Sequence, residues 1–228
     1  TRRVRREACR AFRDRLHETM DAEGIPRDLP VFAAGFMTVL PPDFVDGFFI
    51  VNVHPGDLTK YTLQDGLLRG ERSLVGGGWR PAAKAISAGH DTLTSSLHLM
   101  TPELDAGPVF MRGYRLPVDY NRLLAAVDIE DRDTLREVAT AAQQTLKHIG
   151  DHVVAGATFH DLFQGNWGRH GSGSLAYRAG DDWYLAPNGI DIHDHVANNP
   201  DSPFALDGAS IQEHIDEFYA AVDRIGDR

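Results

Sequence analysis

Residues 48–55 read Phe-Phe-Ile-Val-Asn-Val-His-Pro, and this stretch decides the fold. Its first four residues are apolar with no polar alternation. A continuous apolar run closed by a breaker predicts a strand buried on both faces of a parallel sheet. Upstream, Pro30-Val-Phe-Ala-Ala-Gly35 has the same character and predicts a second such strand. Downstream, Thr94–Met100 and Val109–Arg115 predict two more, with a turn over Thr101–Pro108 between them. Helical periodicity surrounds these runs. Val4, Ala8, Phe12, Leu16 and Met20 recur at every fourth position and predict an amphipathic first helix, its arginines forming a solvated face. Pro81–Ala88 predicts a short helix. Thr134-Leu-Arg-Glu137 has capping-box spacing and opens a helix striped by Leu135, Val138, Ala142, Leu146, Ile149 and Val153. Leu175–Arg178 and Trp183–Leu185 flank Gly180-Asp181 as a hairpin. Ser210-Ile-Gln-Glu213 opens a last helix, with Ile211, Ile215, Phe218, Val222 and Ile225 facing inward. Strands alternating with helices predict an α/β fold with an open, mostly parallel sheet.

Composition narrows the function. The chain has 228 residues, 23 Lys+Arg against 33 Asp+Glu, and a net charge of −10. That balance argues against a general binder of nucleic acid or of a membrane surface, since phosphate contact needs basic surface. The one cysteine, Cys9, can form neither an intrachain disulfide nor a cysteine zinc cluster. Its place on the first helix beside Phe12 suits packing. A reducing, cytoplasmic setting is expected. No run approaches the roughly 20 apolar residues needed to span a bilayer, and the charged Thr1–Arg10 segment lacks a signal-peptide core.

Chemistry concentrates where the apolar strand ends. Asn52 and His54 are two apart and point to one side of the sheet. Ligands of open α/β sheets bind beyond the carboxyl ends of strands. On spacing alone the pair serves either an active site or the backbone of the following loop. Glu103-Leu-Asp-Ala-Gly-Pro108 adds a carboxylate, Asp105, in a tight loop beyond another strand end. Asp105 is expected to orient His54 and favour its charged form. An amide donor, an imidazolium and a carboxylate form a set that can stabilise an oxyanion and move a proton. Residues 56–80 carry Gly56, Gly66, Gly70, Gly76, Gly77 and Gly78 and predict a long loop. Gly76-Gly77-Gly78 with Arg69, Arg72 and Arg80 could form an anion nest, but a flexible lid without direct contact is favoured. Asp191, His193, Asp194 and His195 fall among turn-forming residues, so no metal site is expected there. His98, His160 and His170 read as ordinary surface or strand-face histidines. Trp167, Trp183 and Tyr184 read as packing for the hairpin.

An ordered series of motifs resembles the folate-dependent formyltransferase family. It runs Ala34-Gly-Phe-Met37 with Val39-Leu40, then Val51-Asn-Val-His-Pro55 with Leu58 and Lys60-Tyr61. Ala85-Ile86 and Gly89 follow, then Leu104-Asp-Ala-Gly-Pro-Val109. Order and spacing agree over about residues 8–118. The resemblance implies a Rossmann-like sheet of the formyltransferase type and transfer of a formyl group from 10-formyltetrahydrofolate to an amine. Asn52 would donate to the oxyanion. His54, as imidazolium, would stabilise the same oxygen or relay the proton, and Asp105 would orient His54. Met37, Thr38, Val39, Leu40, Met100, Thr101, Leu104 and Asp105 would line the cofactor pocket. The purine-pathway branch, phosphoribosylglycinamide formyltransferase, is the default, with a small-molecule amine, phosphorylated or not, as acceptor. Neither nucleic acid nor membrane is expected as partner, and a homo-oligomer is allowed.

The match also departs from the family. The first βα units of its sheet, including a Gly-rich phosphate loop, have no counterpart in residues 1–30. Gly56-Asp-Leu-Thr59 replaces the usual residues after His-Pro. The chain is therefore read as a catalytic core over residues 1–118 and an extension over 119–228 that the resemblance does not explain. Two alternatives stay open: a 10-formyltetrahydrofolate hydrolase, and a folate-binding relative without catalysis.

Overall fold

The structure, a computed structural model, describes residues 2–33, 40–61, 72–172 and 174–228, with side chains from residue 7 onward. Helix α1 (Arg2–Ala22) packs on the short helix α2 (Pro42–Val45). Phe12 stacks on Phe44, His17 stacks on Phe48, and Arg10 binds Asp43 at 2.6 Å. A small core of Met20, Leu40, Phe44, Val45, Phe48 and Ile50 lies between them.

The central sheet contains β1 (Val31–Phe32), β2 (Ile50–His54), β4 (Ser96–Leu99), β5 (Val109–Arg112) and β10 (Ile190–Asp191), in the order β1-β2-β4-β5-β10. β1 pairs parallel with β2, and β10 with β5; β4 pairs antiparallel with both neighbours. Four strands thus run one way and β4 the other, so the sheet is mostly parallel. The expectation that β1 is buried on both faces does not hold: it lies at the sheet edge, and Phe32 is 39% exposed. A second, two-stranded sheet joins β3 (Thr92–Leu93) to β6 (Leu116–Pro117).

Helices α3 (Arg80–Ser87), α4 (Tyr120–Ala126) and α5 (Arg132–Leu146) share one hydrophobic core with the sheet. α5 runs through a π-turn (Lys147–Asp151) into α6 (His152–Phe163). Val138, Ala142, Leu146, Ile149 and Val153 are buried along this rod, as their spacing predicts. The three-stranded meander β7 (Trp167–Arg169), β8 (Leu175–Ala179) and β9 (Asp182–Leu185) follows, turning at Gly180, whose φ is +60°. Helices α7 (Ile192–Asn198) and α8 (Gly208–Gly226) complete the chain, and α8 packs on α5.

Two predicted helix starts move upstream for one physical reason. Asp131 caps α5 by accepting from Thr134 N, and Asp207 caps α8 by accepting from Ser210 N. A carboxylate three residues earlier reaches the orphan amide of the first turn, so Thr134 and Ser210 stand inside the helices. The segment 191–198, expected as a loop, is helical because Asp191 and Asp194 form a reciprocal capping box.

Candidate active site

Strand β2 carries the site. Register places Asn52 opposite His98 and His54 opposite Ser96 on β4, so these four side chains share one face. β4 runs antiparallel, so its carboxyl end lies away from that of β2. Asp105 reaches His54 only because the loop after β4 turns back over the sheet. Gly107 makes this return possible: a Cβ there would lie 1.8 Å from the Leu99 carbonyl oxygen. Asp105 itself adopts φ +53°, a left-handed conformation that aspartate tolerates better than most residues. Gly107→Ala is expected to lower stability by about 1–3 kcal/mol, the usual cost of overpacking, and to displace Asp105. An unchanged melting temperature would contradict this reading of the loop.

His54 Nδ1 lies 3.6 Å from Asp105 Oδ2, and His98 Nε2 lies 3.9 Å from Asp105 Oδ1. Both imidazoles are 2% exposed, and Asp105 is 9% exposed. His54 Nε2 donates to the Leu74 carbonyl at 2.6 Å, and Gly76 N donates to Asp105 Oδ2 at 3.1 Å. Arg72 Nη1 donates to the Asp105 carbonyl. The segment from Arg72 to Gly76 therefore touches the site directly, against the expectation of a lid without contact. Arg69 of the expected nest lies outside the described residues.

Charge is distributed differently from the sequence expectation. Burial pushes the His54 pKa below 6.5, outweighing the opposite pull of Asp105. Burial, reinforced by His54, lowers His98 to about 4. Desolvation disfavours the cation more than one carboxylate restores it, so resting His54 is neutral rather than an imidazolium. Neutral His54, already donating from Nε2, turns Nδ1 toward the Asp105 carboxylate 3.6 Å away. His98 donates Nδ1–H to the Leu99 carbonyl at 3.0 Å, which leaves Nε2 without a hydrogen-bond partner. An NMR titration of His98 is expected to show a midpoint near pH 4. Folded-state protonation is suppressed, so this contribution to stability is complete above the unfolded value of 6.5 and is lost as pH falls toward about 4. A His98 midpoint at or above 6.5 would overturn the assignment.

A cleft of about 680 Å³ opens over these groups. Asn52, His54, His98, Asp105 and Gly76–Gly78 line it, with Leu40, Met100 and Leu104 adding apolar surface and Thr101 a hydroxyl. Gln143, Lys147, Asp151 and His152 line the same cleft. Of the expected pocket residues, Met37, Thr38 and Val39 lie outside the described residues. Sequence reasoning missed His98. Its signal was the alternation Ser96-Leu-His98-Leu, which becomes informative once β4 is known to pair with β2.

The C-terminal histidines do not converge as a group. His193 packs on Tyr114, and Asp191 and Asp194 cap α7. His195 is fully buried and bonds Asp161 at 2.8 Å and Ser202 at 2.9 Å. His160, Asp161 and His195 bring ligand atoms within 4.8 Å of one another. Asp161 also accepts from Tyr177 and Asn166, so hydrogen bonds already satisfy this cluster without a cation.

Over 108 residues the chain is 32% identical to phosphoribosylglycinamide formyltransferase of Escherichia coli (strain K12), a match covering 46% of this chain and 41% of that protein. Over the matched residues the chain is similar to a formyltransferase. It spans less than half the length of this curated relative. Among solved structures, phosphoribosylglycinamide formyltransferase from Coxiella burnetii is 22% identical. That match covers 80% of this chain and 69% of that one, with a TM-score of 0.49. A sugar N-formyltransferase from a Shewanella species is 13% identical over 83% of this chain and 59% of its own, with a TM-score of 0.39. No family model matches the chain. Among the described residues, no helix is long and apolar enough to cross a membrane.

Proposed function

We propose that this protein moves a formyl group from 10-formyltetrahydrofolate to an amine, with phosphoribosylglycinamide as the default acceptor. The observation that carries the reading is the convergence of Asn52, His54, His98 and Asp105 at the mouth of β2, inside a cleft with apolar surface. The donor set suits the cofactor: Leu40, Met100 and Leu104 offer apolar surface for a flat heterocycle, and Thr101 offers a polar atom beside it. When bound, 10-formyltetrahydrofolate supplies a formyl group on nitrogen.

Each site residue then has a task. The Asn52 side chain makes no hydrogen bond among the described residues and lines the cleft, so its N–H is free for an oxygen that gains negative charge. The His54–Asp105 pair can hold the proton that the attacking amine gives up and return it to the leaving nitrogen. Leu74 fixes the far side of the His54 ring, and Gly76 fixes Asp105. Burial of the pair strengthens its electrostatics and keeps bulk water from taking the proton.

Incubation with 10-formyltetrahydrofolate, with and without glycinamide ribonucleotide, tests the reading through tetrahydrofolate release. Amine-dependent release is expected. Release that ignores the amine would indicate a hydrolase instead, and binding without turnover would indicate a non-catalytic folate binder.

A further inference from the structure

The groove between α3 and α5 is a second concave surface, and it shares no lining residue with the cleft over His54. Its volume is about 520 Å³, within the range of small-molecule sites. Trp79, Ala83 and Leu135 give it apolar surface, and Arg80, Lys84 and Arg132 give it charge. No acidic side chain lines it, in a chain where Asp+Glu outnumber Lys+Arg by 33 to 23. Arg136 joins the same cluster. The Cζ atoms of Arg80 and Arg136 lie 5.9 and 5.8 Å from the centroid of the Trp79 ring. Beyond these ring contacts, Arg80, Arg132 and Arg136 make no hydrogen bond or ion pair among the described residues. Two carboxylates close by in sequence are engaged elsewhere: Asp131 caps α5, and Glu137 pairs with Arg228.

Like charges gathered at one place repel, and the Trp79 ring offsets only part of that repulsion. An anion among them removes it. A guanidinium fork matches phosphate oxygens in pairs, and the apolar surface beside it suits a hydrocarbon body. We propose that this groove binds a phosphate monoester with an apolar body, of the aryl or alkyl phosphate class. This binding does not depend on the formyl-transfer reading.

Lys84 ties the groove to the active site. Its Nζ donates to the Val75 carbonyl at 2.7 Å, and the next residue, Gly76, donates its N–H to Asp105. An ammonium has three donors, so Lys84 can hold Val75 and a phosphate oxygen together. A ligand in the groove therefore rests on the same segment that holds the His54–Asp105 pair from the other end.

Phenyl phosphate is the probe, and the indole N–H resonances of isotope-labelled protein are the readout. Of the three tryptophan signals, the one absent in Trp79→Phe belongs to Trp79. That signal is expected to shift saturably with phenyl phosphate and to be unmoved by phenol. Inorganic phosphate should bind about tenfold more weakly, because it has no apolar surface to bury. Arg80→Gln combined with Arg132→Gln should weaken phenyl phosphate binding by about tenfold or more, because two charge-assisted contacts are lost. The melting temperature without ligand should hold, since both side chains are exposed. Arg80→Lys combined with Arg132→Lys should restore part of the affinity, and added salt should lower it in the native protein. Absence of a saturable Trp79 shift, or native affinity in the doubly substituted Gln protein, overturns the site. Equal binding of phenyl and inorganic phosphate, or a shift with phenol, overturns the class of ligand.

Discussion

On the proposed formyl-transfer reading, Asn52→Ala is expected to lower amine-dependent transfer by about 100–1000-fold, the usual cost of removing one oxyanion donor. Asn52 sits within β2 at the register position facing His98, on the face that opens into the cleft. Its amide holds no neighbouring loop in place, so truncation should remove a donor without loosening the fold. The loss should fall on kcat, because the oxygen it serves carries full charge only in the transition state. Asp105→Ala should bring a comparable fall by a different route, since it leaves His54 without the carboxylate facing Nδ1 and Gly76 N–H without its acceptor, while the Arg72 contact to the residue 105 carbonyl remains. Stopped-time assays of tetrahydrofolate release at saturating amine measure both. Near-native transfer in Asn52→Ala would sink the assigned site.

Asp161→Ala should destabilise the protein by about 3 kcal/mol or more, since it takes the acceptor from three hydrogen-bonded groups, two of them buried, and each buried group left unsatisfied costs about 1–3 kcal/mol. Asp161 is fully buried on α6 and accepts from His195 of α7, Tyr177 of β8 and Asn166 of the intervening turn. One carboxylate therefore joins the meander and α7 to the rod that lines the cleft. Burial works to raise its pKa, but the His195, Asn166 and Tyr177 hydrogen bonds prevail and hold it below the usual range. A depressed folded-state value gives stability that is present above about pH 4, the unfolded value, and is lost as pH falls through the folded one. The midpoint of urea unfolding at neutral pH measures the substitution, and the same curve followed into acid measures the linkage. A midpoint that does not move in Asp161→Ala would show that the network carries little of the fold. Tyr177→Phe should cost only about 1 kcal/mol, one neutral donor to a charged acceptor.

Much of the architecture was legible in local pattern. The α1 stripe, the apolar run that becomes β2, the α5 stripe and the Gly180 turn each announce an element through side chains a few residues apart. Where a helix begins was less legible, because Asp131 and Asp207 compete with Thr134 and Ser210 for the same amides and only the folded backbone shows which carboxylate reaches them. The π-turn was invisible, since Leu146, Ile149 and Val153 keep a spacing that a continuous helix would also give. It coincides with the close approach of Gly150 to Ser95, residues 55 apart in sequence.

The residues of β2 and of the Asp105 loop by themselves placed an amide, an imidazole and a carboxylate at strand ends, with spacing alone leaving open whether they serve a site or the loop backbone. A strand that buries His54 in apolar surroundings does so at a cost unless the group is paired or used. Only the tertiary structure decided how they meet. The reversed direction of β4 brings His98 beside Asn52 and forces the Asp105 loop to return over the sheet. Enclosure by Leu74, Gly76 and the loop lowers the His54 pKa against the pull of its own carboxylate. Desolvation depends on everything that surrounds a group, and no window of sequence contains that information.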